Sequence, residues 1–135
     1  MNVLLFEEED LRRLPIERGL KKCAAISTVL VCSNETEFGL VIKSCSVDII
    51  FTRYIEFFDS KLPSILQDYQ QKIRVLAYLP NSLDKEGRPF YKKSDYCYLT
   101  KYNPSIEDII YGLRKVWNDR KSSIEETHLN SSEIN

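Results

Sequence analysis

Histidine is almost absent from this chain: the single copy, His128, lies in a polar C-terminal stretch. The cysteines Cys23, Cys32, Cys45 and Cys97 have neither CxxC spacing nor a neighbouring histidine. A zinc site or a Cys/His nucleophile pair is therefore not expected, and free, mostly buried thiols in a reducing cytoplasm are. Charge of one sign is not in excess either, since Lys+Arg 19 against Asp+Glu 20 leaves a formal net charge of -1. That balance gives no electrostatic footprint for nucleic acid or for an anionic membrane. No apolar run approaches the length that spans a bilayer. The N-terminus, MNVLLFEEED, turns acidic at once and lacks the basic start of a signal peptide. At 135 residues, 43% hydrophobic and 29% charged, the chain has the size and composition of one globular domain.

What is present is an alternation of strand and helix patterns. Residues 46–54, SVDIIFTRY, contain Ile49, Ile50 and Phe51, a short run that reads as a strand buried on both faces. Such strands lie in the middle of parallel α/β sheets, whose ligands gather at the carboxyl ends. Here that end carries Arg53. Residues 3–6 form another apolar strand, followed by Glu7, Glu8, Glu9 and Asp10. Adjacent carboxylates repel unless they are solvated, paired or holding a metal, and composition favours a solvated loop over a divalent-cation site.

Residues 11–22 fit a helix with Leu11, Leu14, Ile16 and Leu20 apolar, but Pro15 and Gly19 weaken it, so it starts near Pro15 or is kinked. Residues 24–32 read as a second strand. Asn34 as N-cap, with Glu37 three residues on, starts a helix running to about Lys43. Asp59 or Ser60 caps a further helix to about Gln71, with Pro63 in its first turn. Residues 73–79 are a fourth strand, 81–95 a loop or broken helix, and 96–100 a fifth strand ended by Lys101. Asn103 is the expected N-cap of the last helix, whose Ile106, Ile109, Ile110, Leu113, Val116 and Trp117 share one face. From Asn118 the chain is polar and aperiodic, which predicts a domain over 1–118 and a disordered tail over 119–135. The alternation implies an α/β fold: a five-stranded parallel sheet with helices on both faces, the fourth helix short, broken or absent.

Over residues 2–117 the chain resembles a response-regulator receiver domain, the flavodoxin-like (CheY-like) module of two-component signalling. The resemblance is carried by LLFEEED, VDIIFTR, IRVLAYL and YLTKYNPSIEDIIYGLRKVW. The last is the most specific: in the family a lysine ends the fifth strand just before a capped amphipathic helix, and Lys101 stands there. Tyr102 follows, where the family usually has a cis-proline. The resemblance places Glu7 and Glu8 on the magnesium-holding acidic pair, although they are longer than the usual aspartates. It places Arg53 on the phosphoacceptor aspartate that closes strand three. The serine or threonine closing strand four falls on Leu79, or on Ala77 or Tyr78 if the register slips. The aromatic switch residue corresponds to Tyr98. Asp48 belongs at the amino end of its strand and Asp59 in a loop, so neither replaces the lost aspartate.

Phosphoryl transfer requires an anionic oxygen nucleophile aligned with a metal-bound phosphate. A guanidinium is always protonated and cannot serve. The expectation is a degenerate pseudo-receiver, not an enzyme, with no catalytic residue, cofactor or metal. Its acidic pocket of Glu7, Glu8 and Lys101 is expected to be neutralised by Arg53 pairing with Glu7 or Glu8, against the alternative that Arg53 extends into solvent. Output is expected through protein partners, a homodimer included, at a surface containing Phe90, Tyr91, Tyr98, Tyr102 and Tyr111. No nucleic-acid or membrane partner is expected, and the location is cytoplasmic. Readings from other classes are a metal-dependent hydrolase or nuclease using Glu7, Glu8, Glu9 and Asp10, or a structural subunit of a larger assembly.

Overall fold

The computed structural model describes residues 1–69, 72–79 and 90–134, with side chains of the last helix described to residue 121. Its centre is a sheet in the order β2-β1-β3-β4-β6-β5. The strands are β1 (Asn2–Phe6), β2 (Thr28–Cys32), β3 (Ile49–Arg53), β4 (Arg74–Tyr78), β5 (Phe90–Lys92) and β6 (Cys97–Thr100). All neighbours pair in parallel except β5 with β6. Without β5, this is the doubly wound order in which the chain reverses direction between β1 and β3. The expected parallel strands are all there; the sixth, antiparallel edge strand falls in the segment expected to be loop or broken helix. Residues 80–89 of that segment lie outside the described residues.

Helices cover both faces. On one side α2 (Glu35–Ser44), α3 (Tyr54–Phe58) and α4 (Leu62–Leu66) bring Phe38, Ile42, Phe57, Leu62 and Leu66 onto Leu4, Phe6, Ile50 and Ala77. On the other, α1 (Asp10–Lys21) and α5 (Ile106–Ile134) bring Leu20, Ile109, Leu113 and Val116 onto Val3, Leu5, Ile49 and Phe51. Successive strand residues serve opposite faces, so β1, β3 and β4 are apolar at almost every position.

Several elements depart from expectation for local reasons. Helix α1 runs unbroken through Pro15. The carbonyl that Pro15 cannot serve, one turn back, belongs to Leu11, which is 90% exposed and can use water instead. Gly19 has a packing reason: a Cβ there would lie 2.3 Å from Ile106, so its absence lets α5 start against α1. The Asn34 cap is as expected, its Oδ1 accepting from the Glu37 backbone N–H at 2.9 Å.

The helix predicted from Asp59 or Ser60 to about Gln71 is observed as α4 and a 3-10 turn, Gln67–Tyr69, with residues 70 and 71 outside the described residues, and the unpredicted α3 precedes it. Ser60 joins the two helices, donating to the Phe57 carbonyl and accepting from the Leu62 N–H. The last helix is capped by Ser105, not Asn103. The Ser105 hydroxyl accepts from the Asp108 N–H at 3.1 Å, and the Asp108 carboxylate accepts from the Ser105 N–H at 2.9 Å, a reciprocal capping box. Asn103 instead takes a left-handed turn with φ 48. Finally, α5 continues past residue 118 to Ile134, so the predicted domain boundary falls inside a helix. Asp119 bonds the Tyr98 hydroxyl, and Arg120 reaches the Lys72 carbonyl at 2.9 Å and Asp48 at 3.5 Å. Both belong to the folded body.

Candidate functional site

The carboxyl ends of β1, β3 and β4 bring together Glu7, Arg53 and Tyr78. Arg53 and Tyr78 are partners in register across β3 and β4. Glu7 is 1% exposed. Its Oε2 accepts from the Tyr78 hydroxyl at 2.8 Å and its Oε1 from the Glu9 N–H at 3.4 Å. Arg13 from the first turn of α1 donates to the Glu7 carbonyl at 3.1 Å and pairs with Asp10. Tyr78 stacks on Phe51, centroids 5.6 Å apart, which fixes the phenol where the carboxylate needs a donor. Burial, then the bond to Glu7, raises the Tyr78 pKa, so its proton stays in place. The Arg12 guanidinium lies against the same hydroxyl, and the arginine titrates above its ordinary value as a result. The outcome is a chain of guanidinium, phenol and buried carboxylate.

This differs from the expected neutralisation by Arg53. Among the described residues no hydrogen bond or ion pair joins Arg53 to Glu7 or Glu8; the side-chain donor to Glu7 is Tyr78. Lys101 is also not in the pocket. It pairs with Asp108 at 3.2 Å on the first turn of α5, both side chains being partly exposed. Leu79 is buried on the opposite face, among the residues packed under α3 and α4. The alternation of the strand puts Tyr78, not Leu79, at the site.

A carboxylate that the sequence did not point to, Glu56, lies beside this cluster on α3. Burial, then the charges of Glu7 and Glu8, pushes its pKa up to about 7, with the Glu8 N–H and Arg53 pulling the other way. Its Oε2 is buried without a hydrogen-bond partner. The magnesium that the receiver resemblance implies does not fit these residues. Glu7 is committed to Tyr78 and Arg53 stands at the end of β3. Among the described residues no group of three His, Cys, Asp or Glu side chains converges to hold a metal. Taking up a proton as pH falls through about 7 relieves the repulsion of Glu56 by Glu7 and Glu8.

The five aromatic residues expected to form one surface are divided. Phe90 stacks on Tyr98, centroids 5.7 Å apart, and meets the edge of Tyr111 at 6.4 Å. Tyr98 is 3% exposed and donates to Asp119, so it supports the surface and cannot itself be touched. Its pKa is raised by burial first and Asp119 second. Tyr111 is exposed on α5. Tyr91 faces the other side of the sheet, with Tyr54, Leu79 and Leu99. Tyr102 is exposed near α1. Asp48 precedes β3 at the amino end, accepting from the Asn2 N–H at 2.8 Å, and Asp59 is an exposed helix cap. The cysteines are free; burial pushes Cys32 and Cys97 up to about 12, which makes them unreactive packing groups.

No protein-family description matches the chain, and no curated protein does. Solved structures do. A two-component transcriptional regulator AraC from Clostridium phytofermentans ISDg matches with TM-score 0.66 and 16% identity, over 93% of this chain and 98% of that one. RcsB from Salmonella enterica serovar Typhimurium, solved on promoter rprA in the presence of the phosphomimetic BeF3-, matches with TM-score 0.60 and 11% identity, over 97% of this chain and 68% of that one. At these identities the likeness is one of fold, and the fold is the CheY-like receiver fold. Among the described residues no helix is long and apolar enough to cross a membrane.

Proposed function

We propose that this chain is a response-regulator-like signalling module, a pseudo-receiver that takes no phosphoryl group and acts through protein contacts, self-association among them. The observation that carries the reading is Arg53 at the carboxyl end of β3, in register with Tyr78 and beside a buried Glu7 that the phenol already satisfies. The site offers no free anionic oxygen at the position where the resemblance places the phosphoacceptor, and a guanidinium cannot attack phosphorus. The aromatic residue at the switch position is held inward by Asp119 and covered by Phe90. A partner would therefore meet one fixed surface, centred on Phe90, Tyr111 and the exposed side of β5. The hydrolase or nuclease alternative draws no support from the geometry, because the carboxylates do not converge from several strand ends.

Acetyl phosphate and beryllofluoride, each with Mg²⁺, test this. Intact mass should show no added phosphoryl group, and beryllofluoride should leave the amide NMR spectrum unchanged. Arg53→Asp should recover a beryllofluoride response at the β3 and β4 ends. A phosphorylated wild-type chain, or wild-type amide shifts centred on Glu7, Arg53 and Tyr78, would overturn the reading.

A further inference from the structure

Beside the Glu7–Tyr78 contact the sheet edge opens into a cavity of about 240 Å³, between α1, the end of β3 and the β6–α5 loop. Its charged lining residues, Arg12 and Arg53, are both cations, and no carboxylate lines it. Arg12 Nε meets Glu9 at 3.1 Å, while Arg53 makes no ion pair among the described residues. Two permanent positive charges thus line one cavity whose own walls hold no carboxylate, with Glu7, Glu9 and Glu56 lying behind them outside it, and an anion between the two guanidinium groups complements that lining. Apart from Asn103 the remaining walls are apolar or aromatic, with Leu11, Ile16, Tyr102 and Pro104 among them. Such walls disfavour a fully hydrated inorganic ion and favour an apolar body. The volume lies below the roughly 300 Å³ at which drug-sized sites begin, which limits the occupant to a small molecule.

We propose that this cavity binds a small organic monoanion, a carboxylate on a compact aromatic or apolar body. Arg12 and Arg53 hold the carboxylate, for which the guanidinium fork is geometrically matched. Leu11, Ile16 and Pro104 hold the body. This goes beyond the signalling reading and does not depend on it, since the site is read from its lining alone. Such a ligand would bridge α1 to the loop before α5.

The test is an amide NMR titration of the full chain with benzoate, benzamide and inorganic phosphate. Benzoate should give saturable shifts at Leu11, Arg12, Arg53 and Asn103; benzamide, which lacks the charge, should bind at least about tenfold more weakly, the loss expected for one charge-assisted contact, and phosphate, which lacks the apolar body, should also bind more weakly than benzoate. Arg53→Ala should weaken benzoate by a similar factor. Leu11→Glu is a second variant at a position exposed enough to leave the fold intact; it sets a carboxylate against the arginines and should displace benzoate. Equal binding of benzoate and benzamide, benzoate shifts outside the cavity, no saturable benzoate shift, or unchanged binding in Leu11→Glu would each overturn the proposal. Benzoate and beryllofluoride are titrated separately, so failure of this site is distinguishable from failure of the pseudo-receiver reading.

Discussion

The two sides of the sheet's carboxyl edge handle charge in opposite ways. On the β1–β3–β4 side Glu7 is almost completely buried and is held by one side-chain donor, a phenol set against a guanidinium, with a longer backbone contact from the Glu9 N–H. On the β6–α5 side Lys101 and Asp108 meet in solvent, each retaining about a third or more of its side-chain exposure, 42% and 34%. A buried charge with one good partner is costly to disturb, because the group left behind is desolvated and unpaired. An exposed pair is worth little, because water and salt replace it. The edge therefore has a rigid half and a replaceable half, and the site's properties are set by the rigid one.

The largest break in that comparison should come from Tyr78→Phe, which leaves the Glu7 carboxylate buried without its donor. We expect a loss of about 2 to 3 kcal/mol in denaturant unfolding. Adding Glu7→Gln, which removes the charge, should recover part of it through the coupling between the two positions. A neutral Tyr78→Phe would mean that Glu7 is satisfied by something else.

Next is the attachment of α5. A chain ending at residue 118 loses the bonds of Asp119 to Tyr98 and of Arg120 to Lys72 and Asp48. It should be less stable than a chain ending at residue 121 by about 2 kcal/mol, at about 1 kcal/mol for each of the two residues Asp119 and Arg120. Equal stabilities would return the domain boundary to residue 118.

Glu56 sharpens the comparison through pH. Its pKa in the folded chain is raised from 4.5 to about 7, so between those values the folded chain binds more protons than the unfolded one. Stability should therefore fall as pH rises through that window and level off above it. Glu56→Gln should abolish this fall and be more stable than wild type at pH 8, by on the order of 1 kcal/mol once solvent screening of a partly exposed group is allowed for. The difference should vanish at low pH. Identical pH profiles for the two proteins would remove Glu56 from the charged cluster. The smallest effect belongs to Lys101→Ala on the replaceable side, below about 0.5 kcal/mol and smaller still in salt.

Much of the fold was legible from residues alone, because β1, β3, β4 and β6 are runs apolar on both faces and α5 repeats its apolar residues at helical spacing. The edge strand β5 was not, since a three-residue strand beside a polar segment carries no periodicity. The site was legible by position more than by partner. Arg53 and Glu7 fall where the strand ends put them. Which residue of β4 faces them depends on a shift of one position, and that shift exchanges Tyr78 for Leu79. Glu56 was hidden because it lies on α3, a five-residue helix, YIEFF, that starts directly after β3 and is too short to carry a helical periodicity. Lys101 matches the resembled motif in sequence, yet its ammonium pairs with Asp108, which caps α5. A motif residue can thus be present while its contact is lost.

An acidic edge held by the protein's own phenol and guanidinium has no need of a metal. An Mg²⁺ titration of the wild-type chain followed by amide NMR tests it most directly. The account predicts no saturable shift at Glu7, Glu8, Thr52 or Glu56 up to tens of millimolar Mg²⁺, a range in which carboxylate–Mg²⁺ contacts are otherwise detectable. A saturable response centred on those residues at millimolar Mg²⁺ or below would contradict it.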